Sequence, residues 1–124
     1  MAKIRSIESC SKELTARERV ALKHPENTVS INEKLSREGE FTVCPDWYAS
    51  VRIEDPDAPE EEGARHSYLV ADTSGTIFST GSESFMTSFL DIFTEMKEET
   101  EPYDIRIYKA RSKNGKDYIT CSLV

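Results

Sequence analysis

From Trp47 to Ile53, apolar Trp47, Ala49, Val51 and Ile53 alternate with Tyr48, Ser50 and Arg52. A period of two is the mark of a strand with one buried face, and this pattern places the apolar set inward. His66 to Ala71 reads as a second strand. Asp72-Thr73-Ser74-Gly75 then supplies a turn, and Thr76 to Thr80 a third strand returning as a hairpin. The period then changes. Phe85, Phe89, Ile92, Phe93 and Met96 recur at i, i+4, i+7, i+8 and i+11, one stripe of a helix packed on a core. Thr80 or Ser82 can cap that helix, Glu83 suits its first turn, and Lys97 to Pro102 ends it. Alternation resumes in Tyr103 to Ala110, where Ile105 and Ile107 oppose Arg106 and Tyr108. It continues after the Ser112-Lys113-Asn114-Gly115-Lys116 turn, where Ile119, Cys121 and Leu123 oppose Tyr118, Thr120 and Ser122. Asn-Gly between two such runs is a strong hairpin signal.

The order is therefore strand, strand, strand, helix, strand, strand. Within an α+β, mainly β class, this order predicts a five-stranded OB-type barrel with its one helix between strands three and four. Closure would also remove the free edges of so small a sheet. An open sheet with one covering helix has the same order and stands as the rival.

Residues 1–40 are polar and short of large apolar side chains, and they read as an N-terminal arm ahead of a domain over 41–124. Within the arm, Leu14 to Leu22 has the length of two or three helical turns. Thr15 with Glu18 fits a capping box, and Pro25 stops the helix. So short a helix needs a partner surface. Glu54 to Gly63 holds two prolines and six acidic groups, which makes it a solvated loop.

With 124 residues the chain suffices for one core. Its start lacks the apolar stretch of a secretory signal and no run is long enough to span a bilayer, so it reads as cytoplasmic, with no membrane partner. Three widely spaced cysteines, Cys10, Cys44 and Cys121, fit neither a disulfide scaffold nor a zinc knuckle, and Cys121 reads as a small buried hydrophobe. No cofactor or metal is expected. The net charge of −7 is unevenly spread. Residues 1–40 hold eight basic and seven acidic groups, 41–101 three and fourteen, and 102–124 five and two. Screening beyond about 8–10 Å lets the basic C-terminal ribbon attract an anion locally, although the total sign opposes strong binding to duplex DNA.

The outward positions then become informative. Tyr48 and Arg52 on the first strand, Arg106 and Tyr108 on the fourth, and Tyr118 on the fifth interleave rings with cations. Lys109, Arg111, Lys113 and Lys116 gather at the last hairpin. Tyr68 and Phe78 join them or point inward, depending on the alternation of their strands. Rings stack bases while Lys and Arg track phosphates, which is the chemistry of single-stranded nucleic acid binding. The same alternation also suits an ordinary solvated sheet with cross-strand tyrosine pairs. A phosphate-binding loop, His-Glu-x-x-His and Gly-x-Ser-x-Gly are all missing, so no enzyme is expected.

Phe78-Ser79-Thr80-Gly81-Ser82-Glu83-Ser84-Phe85, the helix, and Ser112 to Cys121 together resemble the small OB-fold single-stranded-DNA-binding proteins of Firmicutes phages and conjugative plasmids. The likeness covers about residues 47–124. It implies non-specific single-stranded DNA binding, often cooperative, with extensions that link protomers, in replication or transfer of phage or plasmid DNA. It differs from housekeeping proteins of this kind in lacking a long tail with an acidic tip, so recruitment of replication partners through a tail is not expected. The expected partners are thus single-stranded DNA, with RNA as a second possibility, and a second copy reached through the arm. A second reading is a protein-binding module or inhibitor from a mobile element that acts through its acidic middle segment.

Overall fold

The computed structural model describes residues 4–54 and 65–124, so the expected acidic loop lies almost wholly outside the described residues. The elements in chain order are β1 (Ile4–Cys10), α1 (Ala16–Leu22), β2 (Val29–Ser30), α2 (Ile31–Glu38), β3 (Glu40–Val43) and β4 (Pro45–Glu54). They continue with β5 (Arg65–Asp72), β6 (Ile77–Thr80), α3 (Glu83–Glu95), β7 (Ile105–Arg111) and β8 (Asp117–Leu123). All five expected strands and the long helix form. Five elements lie ahead of β4, of which α1 is the short helix expected over Leu14 to Leu22 and β1, β2, α2 and β3 are not anticipated by the pattern.

Two sheets result, one in the order β1-β4-β5-β6-β2 and one in the order β3-β7-β8. β3 and β4 are separated only by Cys44, so one stretch of chain enters both sheets. Phe41 pairs with Ile107 in the small sheet, and Trp47 pairs with Ala71 in the large one. No ladder among the described residues joins β6 to β8, so the sheets do not close into a barrel. α3 lies against β8 instead. Ser84 Oγ donates to the Ile119 carbonyl at 3.0 Å, and the Ser88 and Thr120 hydroxyls are 2.9 Å apart. The helix thereby covers a strand edge that would otherwise stand open. On the other side of the gap, β6 pairs in parallel with β2.

The large sheet is buried on both faces, which alternation over one face did not reveal. Trp47, Ala49, Val51, Leu69 and Ala71 form one cluster with Leu22, and Ile7, Leu14 and Ile77 pack against it. The opposite face contributes Val70 and Phe78, with Tyr48 and Tyr68 partly buried. This second cluster also holds Phe41, Val43, Ile105, Ile107, Ile119 and Cys121 of the small sheet and Phe85 and Phe89 of α3. The expected inward set Trp47, Ala49 and Val51 is buried, but under the N-terminal segment and away from the core shared by the two sheets.

Residues 4–38 are accordingly not an arm. β1 forms a full antiparallel ladder on β4, broken by a bulge between Ile7 and Ser9. Ile31 is fully buried and Leu35 nearly so, each a gain of about 1.5–3 kcal/mol of apolar burial. The capping box of α1 forms as expected, with the Thr15 hydroxyl accepting from the Glu18 N–H and the Glu18 carboxylate from the Thr15 N–H. Ser30 caps α2, and Gly39, at φ +81°, ends it in a backbone state that suits glycine. Ser82 caps α3, with its Oγ accepting from the Phe85 N–H, while Thr80 Oγ1 accepts from the Ser82 N–H. Cys121 is buried, and burial pushes its thiol up to about 12. No helix among the described residues is long and apolar enough to cross a membrane.

Candidate nucleic-acid interface

The buried positions of the small sheet determine what faces outward. Because Ile105, Ile107, Ile119 and Cys121 point into the core, Arg106, Tyr108 and Ala110 of β7 share the outer face with Tyr118, Thr120 and Ser122 of β8. Register then separates the two rings. Tyr108 stands opposite Thr120, and Tyr118 opposite Ala110. Neither tyrosine is consumed by a cross-strand ring pair, and each looks across at a small side chain. Tyr118 is 40 % exposed and belongs to no ring contact among the described residues. Tyr108 is half-buried, and the Arg106 guanidinium lies 4.6 Å from its ring centroid. Such a contact contributes about 0.5–1 kcal/mol at an exposed site and restrains the guanidinium beside the ring.

β3 adds two residues to this wall that the sequence reading left out. Glu40 and Thr42 pair with Tyr108 and Arg106, and Glu40 Oε2 is 3.4 Å from Arg106 Nε. The Glu40-Phe41-Thr42-Val43 alternation just after Gly39 was a legible strand signal for them. The wall therefore carries a carboxylate beside its arginine. An exposed pair of this kind is worth about 0–1 kcal/mol and is screened by salt, so a phosphate can compete for the guanidinium.

The hairpin tip adjoins the wall. Gly115, at φ +78°, closes it, with its N–H donating to the Ser112 carbonyl at 2.9 Å. Lys113 and Lys116 are exposed and make no ion pair among the described residues. Arg111 Nε lies 3.4 Å from Asp117 Oδ1, and both side chains are mostly exposed. Lys109 is exposed as well, but it shares the phase of Ile105 and Ile107 and so lies on the other face, past the end of the core.

Two further expected contacts fall elsewhere. Tyr48 packs edge-on against Phe89 and Phe93 of α3, with ring centroids 5.8 and 5.2 Å away, so its ring serves the core. Arg52 lies on the large sheet, 3.0 Å from Glu54 and 3.8 Å from Glu8, while Glu8 also meets His66 Nε2 at 3.0 Å. Tyr68 and Phe78 take the inward alternative. The structure thus gathers Arg106, Tyr108, Tyr118, Arg111, Lys113 and Lys116 and removes Tyr48, Arg52 and Lys109.

A second feature lies across the molecule. α1 and the outer face of the large sheet bound a cleft of ≈ 250 Å³ whose lining includes Ala21, Trp47 and Ile77 with Glu18, Asp46 and Asp72. Lys12 touches two of its lining residues, with Nζ 5.0 Å from the Trp47 ring centroid and 2.8 Å from Glu18. The hydrogen bond from Lys12, aided by the Thr15 N–H, holds the Glu18 carboxyl down at about 2. Burial opposes ionisation of Asp72, but N–H donation from Ser74 and Cys44 outweighs it and keeps that carboxyl low.

Comparisons of the chain with protein-family models, with curated proteins and with solved structures each give no match. The functional reading rests on these residues and their geometry.

Proposed function

We propose that this protein binds single-stranded nucleic acid, single-stranded DNA first, on the outer wall of β3-β7-β8 and along the adjoining hairpin tip. It acts by stacking and phosphate contact without catalysis. The observation that carries this reading is Tyr118, an exposed ring facing Ala110, set between the Arg106–Tyr108 stack and the exposed Lys113 and Lys116, which make no ion pair among the described residues. Base stacking on such a ring is worth about 1–3 kcal/mol and tolerates any sequence. We read the fold as an OB-type arrangement left open between β6 and β8, with the β3-β4 run as its first strand. In that arrangement the hairpin after the helix is one of the loops that take up oligonucleotides. Service in replication or transfer of phage or plasmid DNA follows from the resemblance noted above.

The test is anisotropy of labelled oligo-dT titrated with the protein across salt. Binding should be micromolar or tighter at about 50 mM salt and weaken steeply as salt rises. An unchanged signal at low salt refutes the reading. The second reading, a module that binds a basic protein, draws on the acidic rim of the Trp47 cleft. Recovery of a basic partner by a chain that ignores oligo-dT would favour it.

A further inference from the structure

We infer that the hairpin tip of one copy docks in the Trp47 cleft of another, so that the chain associates head to tail. The cleft has an apolar floor and an acidic rim, and that combination fits a lysine, whose stem is apolar and whose end is charged. Lys12 demonstrates the fit inside the molecule, with its ammonium over the Trp47 ring and against Glu18. It neutralises only part of the rim. Glu18, Asp46 and Asp72 together carry three negative charges against its one, and the Asp46 carboxylate, which lies within electrostatic reach of Lys12, makes no side-chain hydrogen bond or ion pair among the described residues.

The complementary group is on the same chain. The tip presents Lys113 and Lys116 without carboxylate partners among the described residues, and Arg111 with only an exposed one. Tip and cleft lie at opposite ends of the fold. Cys44, whose N–H donates to Asp72 on the cleft rim, follows Val43, the partner of Ile105 at the start of β7. The tip begins after Arg111, six residues further along β7, or about 20 Å. A tip therefore cannot reach its own cleft and must enter that of another copy. Because the two surfaces differ, the contact is heterologous and propagates along a row of copies. The area is small, so the affinity is low and falls with salt. The same lysines serve the phosphate contact proposed above, so association is measured without nucleic acid.

The experiment is a dilution series of the full ¹⁵N-labelled chain followed by amide shifts. Residues 46 and 72–75 should shift together with 112–116 as concentration rises towards about a millimolar, with loss of the effect in high salt. Asp46→Lys should weaken the association at least about tenfold, as should Lys113→Glu with Lys116→Glu, each variant keeping its dispersed spectrum. Mixing the two variants should restore shifts, because the unaltered tip of the first meets the unaltered cleft of the second. No concentration dependence, shifts at only one of the two surfaces, or no recovery on mixing overturns the inference. None of these outcomes bears on oligo-dT binding, which the anisotropy titration reads separately.

Discussion

Tyr48 and Tyr118 look alike in a strand pattern, yet the structure gives them opposite surroundings. Tyr48 fills the space between β4 and α3, edge-on to two phenylalanines. Tyr118 stands 40 % exposed with alanine opposite. Tyr118→Ala should therefore leave the melting temperature within a degree or two and weaken oligo-dT binding by about 1–3 kcal/mol, roughly 5- to 150-fold. Tyr48→Ala should do the reverse, lowering stability by about 1–3 kcal/mol through lost packing, with binding by the folded fraction unchanged. Chemical denaturation and anisotropy on both variants separate the roles. If both variants lose affinity equally at equal stability, Tyr118 is not the stacking residue.

At the scale of elements, the N-terminal segment is the largest departure from expectation. α2 has only eight residues, and its sequence is polar enough to pass for an arm. Its two apolar positions, Ile31 and Leu35, are four apart and both enter the shared core. Hydroxyl contacts bind the same segment to β6, Thr28 with Ser79 and Thr80 with Asn32, each at 2.9 Å. Leu35→Ala should cost about 2–5 kcal/mol in a denaturant titration, whereas truncating a residue of a free arm would cost nothing measurable. α1 is held differently, by the Thr15–Glu18 box and Lys12. The Glu18 carboxyl is depressed to about 2, so its contribution is full above the ordinary carboxylate range and disappears as pH falls from about 4 through about 2. Amide shifts of residues 15–19 should report that loss, and Glu18→Gln should remove the transition in that window.

At the scale of the molecule, charge is separated more than it is summed. The net charge is −7, but the C-terminal 23 residues hold five cations and two carboxylates, and the cleft rim across the fold is acidic. A surface of this kind should bind single strands through a localised contact and duplex DNA weakly. Each lysine that meets a phosphate should add about one to the slope of log affinity against log salt. Removing Lys113 and Lys116 together should lower that slope by about two, measured by anisotropy at four or more salt concentrations. An unchanged slope would move the phosphate contacts away from the tip.

Local pattern was enough for the five strands from Trp47 onward, for α3 with its cap and aromatic stripe, for both glycine turns and for the box on α1, because each depends on neighbours in sequence. It also put Arg106, Tyr108 and Tyr118 on one outward face, since a two-residue period shows which positions share a face. Which face meets solvent is a non-local fact. β4 is covered on both sides, by the α1 segment on one and by α3 and the small sheet on the other, and only that packing withdrew Tyr48, while Glu8 and Glu54 tie Arg52 to carboxylates. Strand order likewise could not say whether β6 meets β8. The chain left that edge to α3 and gave the opposite one to β2, and both contacts join residues more than thirty positions apart.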